Sequence, residues 1–388
     1  MIKKDAKQIV LPHSQAKLDL YKSYLEKYFA ILGLAKGITK INIYDIFCGI
    51  GLYEDGNIGS PLIAVECVKN NNELFNKYNW EKKPIRLIIN DGSKEKAENV
   101  KKILENEVVE NLEFSFHNME ADLMLDIVSK EINSISRTER NLVFIDPYGY
   151  SHIDRNRIHG ILKSRSTEIV LFLPVMQMYR FSGIALTDFE RKCYTDLRKF
   201  IFDFFPEGHK IRQEKAKDVF EFIDLIKEAL TFNQEFYSCS HYIERHKGNY
   251  YAVFFITSNI YGLERMLQVK WSKDSDTGAG FRKPTVQKSL FEDEEKKEVT
   301  ETILSWLSNN LYDFLKSEIV KTNLDLYEFV LKKECLPKHA NEILHAWHKE
   351  NPMVYDVNSG DIILKPRSFY LTYQEFKTKK PKIFFKIK

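Results

Sequence analysis

The loop after the first apolar run combines a carboxylate, an aromatic ring and two glycines. Asp45 ends that run, Phe47 follows it, and Gly49 and Gly51 come next. Glycine lets a backbone approach a ligand closely, but the acidic residues at 54 and 55 would repel a dinucleotide pyrophosphate. S-adenosylmethionine (SAM) has no phosphate and carries a sulfonium and an ammonium, so we expect these four residues to bind it. The alternative is a tight turn whose glycines serve packing alone.

Two further carboxylates follow later apolar runs. Asp91 stands where the ribose hydroxyls of such a cofactor would lie, and a carboxylate can accept both hydroxyl protons. Its alternative role is to cap the next helix. Asp122 could reach the adenine amine, although a carboxylate in the first turn of a helix is also common. We therefore predict Asp91 and Asp122 as cofactor-binding residues.

The sequence Asp146-Pro147-Tyr148-Gly149 follows the fourth apolar run. The Asp146 carboxylate and the Pro147 carbonyl could accept hydrogen bonds from an exocyclic amine, and Tyr148 could stack on its ring. Methyl transfer to that nitrogen would then be mostly positioning and desolvation. A plain β-turn is the alternative, because Asp, Pro and Gly are common turn formers. We predict Asp146, Pro147 and Tyr148 as catalytic residues.

Other chemistries have less support. Methylation at pyrimidine C5 needs a nucleophilic cysteine, usually in a Pro-Cys pair that this chain lacks, and Cys48 is expected to be a small buried apolar residue. The histidines form no metal-ligand spacing, so no metal is predicted. The five cysteines are odd in number and form no CxxC pair, which favours a reducing, cytoplasmic location.

The charge is concentrated at the C-terminal end of the sequence. Residues 365–388 hold eight basic residues against one acid, a net of +7, which leaves −4 for residues 1–364 of a total of +3. Aromatic residues are interleaved with these cations, a combination that suits nucleic acid, DNA or RNA. A basic edge strand or tail packed on its domain is the alternative. The predicted nucleic-acid-binding residues are Lys377, Lys379, Lys380 and Lys382.

These residues need a fold that brings them together. Five apolar strands alternate with helices, which predicts an α/β fold with a parallel sheet covered on both faces. A hairpin pattern over 236–257 would end that sheet with antiparallel strands, the outline of a Rossmann-like class I methyltransferase. Helix 15–32, with Ser14 as its N-cap, precedes the sheet. Ligands bind at the carboxyl ends of strands in such sheets.

The 388 residues fit two domains, and 44% hydrophobic content supports a sizeable core. We predict a methyltransferase-like domain over 1–272 with a helical insertion at about 175–232. A linker over 273–298 and a winged-helix-like module with a basic tail over 299–388 would follow. No apolar run is long enough to span a membrane, and no secretory signal is visible.

Several motifs resemble, in order, those of the three-Cys-motif partner family (TcmP), which is similar to class I methyltransferases. They cover about residues 10–272: His13, Tyr44-Asp45-Ile46-Phe47-Cys48-Gly49-Ile50-Gly51, Gly59-Ser60-Pro61-Leu62, Phe144-Ile145-Asp146-Pro147-Tyr148-Gly149, Tyr250-Tyr251-Ala252-Val253-Phe254-Phe255, Gly262-Leu263-Glu264-Arg265-Met266 and Lys270-Trp271. The family often has alanine and proline where Cys48 and Ile50 stand, and an acid where Asn90 stands.

The resemblance implies a protein partner that bears a three-cysteine motif like that of radical-SAM enzymes. The Asp-Pro-Tyr-Gly turn also resembles the Asp-Pro-Phe-Gly turn of tRNA guanine-N2 methyltransferases, which makes RNA amines candidate acceptors. The leading hypothesis is a SAM-dependent N-methyltransferase that acts on nucleic acid together with that partner. The alternative is a non-catalytic adaptor that binds nucleic acid for the partner. A hydrolase is a weaker third hypothesis.

Overall fold

The computed structural model describes residues 10–246, 248–281, 292–316, 318–350, 354–363 and 368–387. The chain separates into two compact units: the first comprises the chain up to Asn259 and takes in Phe281, and the second begins at Ile260. Helix α9 (Ile260–Lys273), which the sequence placed in the methyltransferase-like domain, groups with the second unit. None of the described helices is long and apolar enough to cross a membrane.

The first unit is built on a mostly parallel sheet. Its strands are β1 (Lys40–Asp45), β2 (Ile85–Asn90), β3 (Leu112–His117), β4 (Glu139–Ile145), β5 (Thr167–Leu173), β6 (Tyr237–His246) and β7 (Asn249–Thr257). They lie in the order β3-β2-β1-β4-β5-β7-β6, with β7 antiparallel to both of its neighbours. This is the strand arrangement of a Rossmann-like class I methyltransferase, so the predicted α/β fold of this unit is confirmed.

Helices connect these strands. They are α1 (Pro12–Leu34), α2 (Ser60–Lys77), α3 (Lys94–Leu104), α4 (Ala121–Ser134), α5 (Arg155–Leu162), α6 (Val175–Thr187), α7 (Thr195–Phe204) and α8 (Val219–Ala229). The last three, with 3₁₀ turns at Lys192–Tyr194 and Lys210–Arg212, form the predicted insertion between β5 and β6. One local expectation was wrong: α1 begins at Pro12 with Leu11 as its N-cap, so Ser14 lies inside the first turn.

The order of the central strands brings the predicted residues to one edge. Strand β1 lies between β2 and β4, and Asp45 is in register with Ile89 on one side and Phe144 on the other. Asp91 and Asp146 directly follow the ends of those two neighbouring strands. Because parallel strands end at the same edge, the three carboxylates belong to one site.

The second unit is mainly helical. Besides α9 it contains α10 (Glu292–Leu315), α11 (Asn323–Lys332), α12 (Pro337–Glu350) and α13 (Tyr373–Thr378). Its short strands are β9 (Lys321–Thr322), β10 (Val354–Asp356) and β11 (Ile383–Phe385), and they form an antiparallel sheet in the order β10-β11-β9. A two-residue strand, β8 (Gly280–Phe281), precedes α10 in the chain.

The basic C-terminal segment is part of this fold. Strand β11 is the central strand of its sheet, where the alternative interpretation expected an edge strand or tail. Phe369, Ile383 and Phe385 are buried, so these two phenylalanines are not exposed for stacking on a base. Three basic residues counted in the +7 segment, Lys365, Arg367 and Lys388, lie outside the described residues.

Candidate active site at the carboxyl edge of the sheet

Asp45 is a completely buried carboxylate at the end of β1. Neither of its oxygens has a hydrogen-bond partner of normal geometry among the described residues. Burial raises its pKa to about 7; the Ser60 hydroxyl opposes that shift, the charges of Asp146 and Asp91 add to it, and Lys17 opposes it. A buried carboxylate with so little compensation favours a cationic or hydrogen-bond-donating ligand.

The loop after Asp45 leaves open space beside its backbone. Gly49 and Gly51 have φ values of +64° and +75°, a region that side chains rarely adopt. A Cβ at Gly49 would meet no atom within 4 Å, whereas a Cβ at Gly51 would lie 2.8 Å from Cγ2 of Val100. Gly51 therefore serves packing against α3, and Gly49 faces the space in which a ligand can approach the backbone.

Asp91 is engaged by the protein backbone. It is 4% exposed, and its carboxylate accepts the N–H of Gly49 at 3.0 Å and the N–H of Ser93 at 2.8 Å. The first contact fixes the loop that contains Gly49 and Gly51 (the glycine loop). The second forms a turn just before α3, whose N-cap is Ser93, so Asp91 is not itself the helix cap that the alternative expected. An ionised carboxylate has about four acceptor positions, so these contacts leave capacity for a ligand hydroxyl.

Asn90, which stands where the resembled family often has an acid, joins three loops. Its side-chain amide donates to the carbonyls of Ile46 and Met119, both at 3.1 Å, and accepts the N–H of Met119 at 3.0 Å. Its own carbonyl accepts the N–H of Cys48. This completely buried side chain therefore sets the spacing of the loops that follow β1, β2 and β3.

Asp122 and Phe47 both lie near His152. The carboxylate of Asp122, in the first turn of α4, is 3.4 Å from Nδ1 of His152 and 3.6 Å from a guanidinium nitrogen of Arg157. The rings of Phe47 and His152 are 6.4 Å apart. Asp122 and Arg157 also line a small cavity of about 90 Å³ that faces α7. The contact of Asp122 with adenine stays a prediction.

The turn after β4 places its three predicted residues in different surroundings. Asp146 is partly buried, Pro147 is buried, and Tyr148 is 74% exposed. The ammonium of Lys96, on α3, lies 4.3 Å from the centre of the Tyr148 ring. Tyr148 thus presents a ring at the mouth of the site, and Asp146 lies deeper beside Asp45.

Lys17 is the functional residue that sequence reasoning missed. Its ammonium forms an ion pair with Oδ2 of Asp146 and lies 4.7 Å above the Phe172 ring. The signal for it was weak: Lys17 stands one helical turn from each of two buried residues of α1, His13 and Tyr21. A lysine on an otherwise buried face of a helix suggests a buried charge partner, but the sequence does not name that partner.

Cys48 is a buried thiol whose pKa is raised by burial and by the charges of Asp45 and Asp91. A thiol in this state is a poor nucleophile, since the thiolate is the reactive form. Tyr53, close to Asp146 and Tyr148, has a pKa raised to about 12, mainly by burial. No group of three or more His, Cys, Asp or Glu side chains in the described part of the chain could hold a metal ion.

The predicted nucleic-acid-binding lysines lie in the second unit. Lys377, Lys379, Lys380 and Lys382 are exposed on and around α13, and Lys382 pairs with Glu375 at 2.7 Å. The ring of Tyr370 lies 4.7 Å below the Lys382 ammonium. The sequence thus located a cationic surface, one of whose charges is already paired.

Comparisons with known proteins give remote structural similarities. No protein-family model and no curated protein matches this chain, so the resemblance to the TcmP family stays a prediction. The bifunctional kinase-methyltransferase WbdD aligns with a TM-score of 0.34 and 11% identity over 62% of this chain, and the chain spans only 39% of WbdD.

Two smaller proteins align over most of their own length. Loganic acid methyltransferase with bound S-adenosylhomocysteine (SAH) has a TM-score of 0.32 and 10% identity, over 62% of this chain and 78% of that one. Magnesium protoporphyrin IX methyltransferase from Synechocystis PCC 6803, with bound SAM, has a TM-score of 0.29 and 8% identity, over 66% of this chain and 87% of that one. At these scores the interpretation rests on the chain's own topology and site.

Proposed function

We propose that this protein is a SAM-dependent N-methyltransferase that acts on an exocyclic amine of a nucleic-acid base. The observation that carries the proposal is the completely buried carboxylate of Asp45, whose oxygens have no hydrogen-bond partner of normal geometry among the described residues. It lies beside an open glycine loop and one strand away from the Asp146-Pro147-Tyr148 turn. A cation-binding pocket and an amine-binding turn at the carboxyl edge of one sheet suit methyl transfer from a cationic donor.

The residues present fit this cofactor. Asp45 supplies a negative charge without a competing partner, Gly49 leaves room at the backbone, and Asp91 has acceptor capacity for hydroxyls. Phe47 and Asp122 would complete the pocket, Phe47 with an apolar ring and Asp122 with an acceptor. When bound, SAM supplies an electrophilic methyl group on a sulfonium.

The turn after β4 would hold the acceptor. Only Oδ2 of Asp146 has a hydrogen-bond partner among the described residues, so Oδ1 can accept an amine N–H, together with the Pro147 carbonyl. Two acceptors fix the orientation of the nitrogen and direct its lone pair. The exposed ring of Tyr148 would stack on the base, which favours a planar acceptor taken out of a duplex or from a single strand.

The second unit would supply nucleic-acid affinity as a winged-helix-like module. Its order α10-β9-α11-α12-β10 and the central place of β11 support this proposal, because winged helices combine three helices with a small antiparallel sheet. The exposed Lys377, Lys379 and Lys380 support contacts with phosphates. The cytoplasmic location and the three-Cys-motif, radical-SAM-like protein partner remain proposals that rest on sequence.

One observation favours the second candidate function, a non-catalytic nucleic-acid-binding adaptor for that partner. Asp146 pairs with Lys17, and Asp91 accepts two backbone N–H groups, so two of the three carboxylates have partners within the protein. Such a site could persist as a structural remnant. Asp45, which has no ion-pair partner and no hydrogen bond of normal geometry in the described part of the chain, distinguishes the two hypotheses.

Calorimetric titration with SAM and SAH tests the proposal first. The wild-type protein should bind both, and Asp45→Asn should lose that binding while remaining folded. Glu168→Gln is the matched control, because Glu168 is also a buried carboxylate with a pKa raised to about 7 by burial, but it pairs with Tyr24 and Thr257 away from the predicted pocket. No binding by folded wild-type protein would favour the adaptor.

The acceptor half is tested with methyl-labelled SAM and single-stranded RNA or DNA. Asp146→Asn and Tyr148→Ala should lose label transfer and retain SAH binding, because both residues face the acceptor side. Equal transfer by these variants would remove the turn from the mechanism.

A further inference from the structure

Helix α1 inserts a single cation among the carboxylates of the candidate site. Lys17 and Asp146 are both poorly exposed, with side-chain exposures of 12% and 20%. The ammonium contacts Oδ2 of Asp146 on one side and the face of the Phe172 ring on the other. Phe172 is itself fixed, since it stacks on Tyr251 with a centroid distance of 5.2 Å and an angle of 6°. The position of Lys17 is therefore defined by packing.

The charged and titratable groups around Asp45 come from every neighbouring element. Three charged groups change the pKa of Asp45: Asp146 after β4, Asp91 after β2 and Lys17 on α1. The charge of Asp45 in turn raises the pKa of Tyr21 on α1 and of Cys48 in the glycine loop. Lys17 is the only cation in that set. Two neighbouring carboxylates disfavour ionisation of a third, and a cation beside them favours it.

We propose that Lys17 is a positioning residue that acts through Asp146: it holds one carboxylate oxygen and cancels the negative charge of Asp146 beside Asp45. Because the Lys17 ammonium offsets the charge of Asp146, Asp45 can carry the negative charge that a cationic cofactor needs. The same contact leaves Oδ1 of Asp146 for the acceptor amine. Lys17 thus connects the acceptor side of the site with the cofactor side. This role in ligand binding rests on the function proposed above.

The first test needs no ligand. In protein labelled with ¹³C at the aspartate carboxyl, the resonance of Asp45, assigned with Asp45→Asn, is titrated with pH. Lys17→Met keeps most of the apolar stem and removes the charge, so the midpoint of Asp45 should rise by about one pH unit. Lys17→Arg should restore the wild-type midpoint. The control is Lys22→Met, which removes a lysine of the same helix that pairs with Glu66 at 2.8 Å.

The second test measures SAH binding at several pH values in the same variants. The midpoint of the pH dependence of SAH affinity should rise in Lys17→Met together with the Asp45 midpoint. It should stay unchanged in Lys22→Met. An Asp45 midpoint that is equal in Lys17→Met and wild type overturns the proposal. If the Asp45 midpoint rises in Lys17→Met but the wild-type protein binds no SAH, the effect of Lys17 on Asp45 is supported and the proposed function is overturned, so the two failures are distinguishable.

Discussion

The carboxylate of Asp91 accepts the backbone N–H of Gly49 at 3.0 Å, and this contact joins the end of β2 to the glycine loop after β1. The other carboxylate oxygen accepts the N–H of Ser93 at the start of α3. One side chain therefore fixes both the loop that leaves space for a ligand and the helix that carries Val100 against Gly51. The shape of the candidate pocket depends on it before any ligand is bound.

Asp91→Ala should lower the free energy of unfolding by about 3 kcal/mol, because two hydrogen bonds to a buried carboxylate are lost. Asp154→Ala is the matched control: Asp154 caps α5 through the N–H groups of Asn156 and Arg157 at an exposed position, and its loss should cost about 1 kcal/mol. Urea unfolding measures both. Equal losses would mean that the contact of Asp91 with Gly49 adds nothing to stability beyond a local turn.

Substitutions at the two glycines of the glycine loop should affect SAH binding and stability to different extents. Gly49→Ala should cost about 1 kcal/mol of strain at its positive φ but weaken SAH binding at least tenfold (about 1.4 kcal/mol), because the new methyl group enters the open space. Gly51→Ala should destabilise the protein more, since its Cβ would lie 2.8 Å from Val100.

The matched control for this loop is Gly56→Ala, a position with φ of +83° and open space around its Cβ. It carries a similar strain and should bind SAH as the wild type does. Calorimetry and urea unfolding of the three variants check the ranking. Weaker binding by Gly56→Ala than by Gly49→Ala would place the ligand elsewhere.

Asp45 should make stability depend on pH in a defined direction. Its pKa is raised from an unfolded value of about 3.9 to about 7, so the folded state binds more protons between these values. Stability is therefore lost as the pH rises through this window and is constant above it. Asp45→Asn removes this contribution. The free energy of unfolding of Asp45→Asn minus that of wild type should therefore increase by about 2–3 kcal/mol from pH 5 to pH 8.

Urea unfolding at the two pH values measures that difference. Glu168→Gln should show the same trend, because the pKa of Glu168 is also raised to about 7 by burial, yet it should keep SAH binding. Parallel stability curves for Asp45→Asn and wild type would refute the buried, uncompensated state of Asp45.

The sheet could be predicted closely because its parallel strands are short, largely apolar runs that alternate with helical segments. The five predicted parallel strands are β1 to β5, and the hairpin predicted over 236–257 is formed by β6 and β7. The order of the strands was not predicted, since alternation with helices does not determine which strands are neighbours. The same regularity placed Asp45, Asp91 and Asp146 at one edge, because a carboxylate that follows a parallel strand can lie only there.

Contacts made by long-range packing were beyond the sequence. Lys17 reaches Asp146 across 129 positions of the chain, and no local pattern encodes that distance. The hydrogen bond of Asp91 to Gly49, 42 positions away, was missed for the same reason. The C-terminal segment was interpreted from its charge, although Phe369 and Phe385 contribute to a core and β11 is a central strand.

That last finding decides how the nucleic-acid hypothesis should be tested. Deleting 365–388 would remove β11 and its buried side chains, so any loss of binding would be confounded by unfolding of the second unit. Replacing Lys377, Lys379, Lys380 and Lys382 with glutamine keeps the buried residues and removes four exposed charges. Affinity for single-stranded nucleic acid should fall, and the slope of log K against log salt should become shallower by about 2–3, because each single-strand phosphate contact contributes about 0.7.

The control variant replaces Lys69, Lys77, Lys94 and Lys101, four exposed lysines of the first unit, and changes the net charge by the same amount. If the surface around α13 binds phosphates, the salt slope of the control should stay near that of the wild type, since a uniform change of net charge does not remove a phosphate contact. Equal slopes in wild type and the α13 variant, measured by fluorescence anisotropy over a range of salt concentrations, would exclude these lysines from the interface.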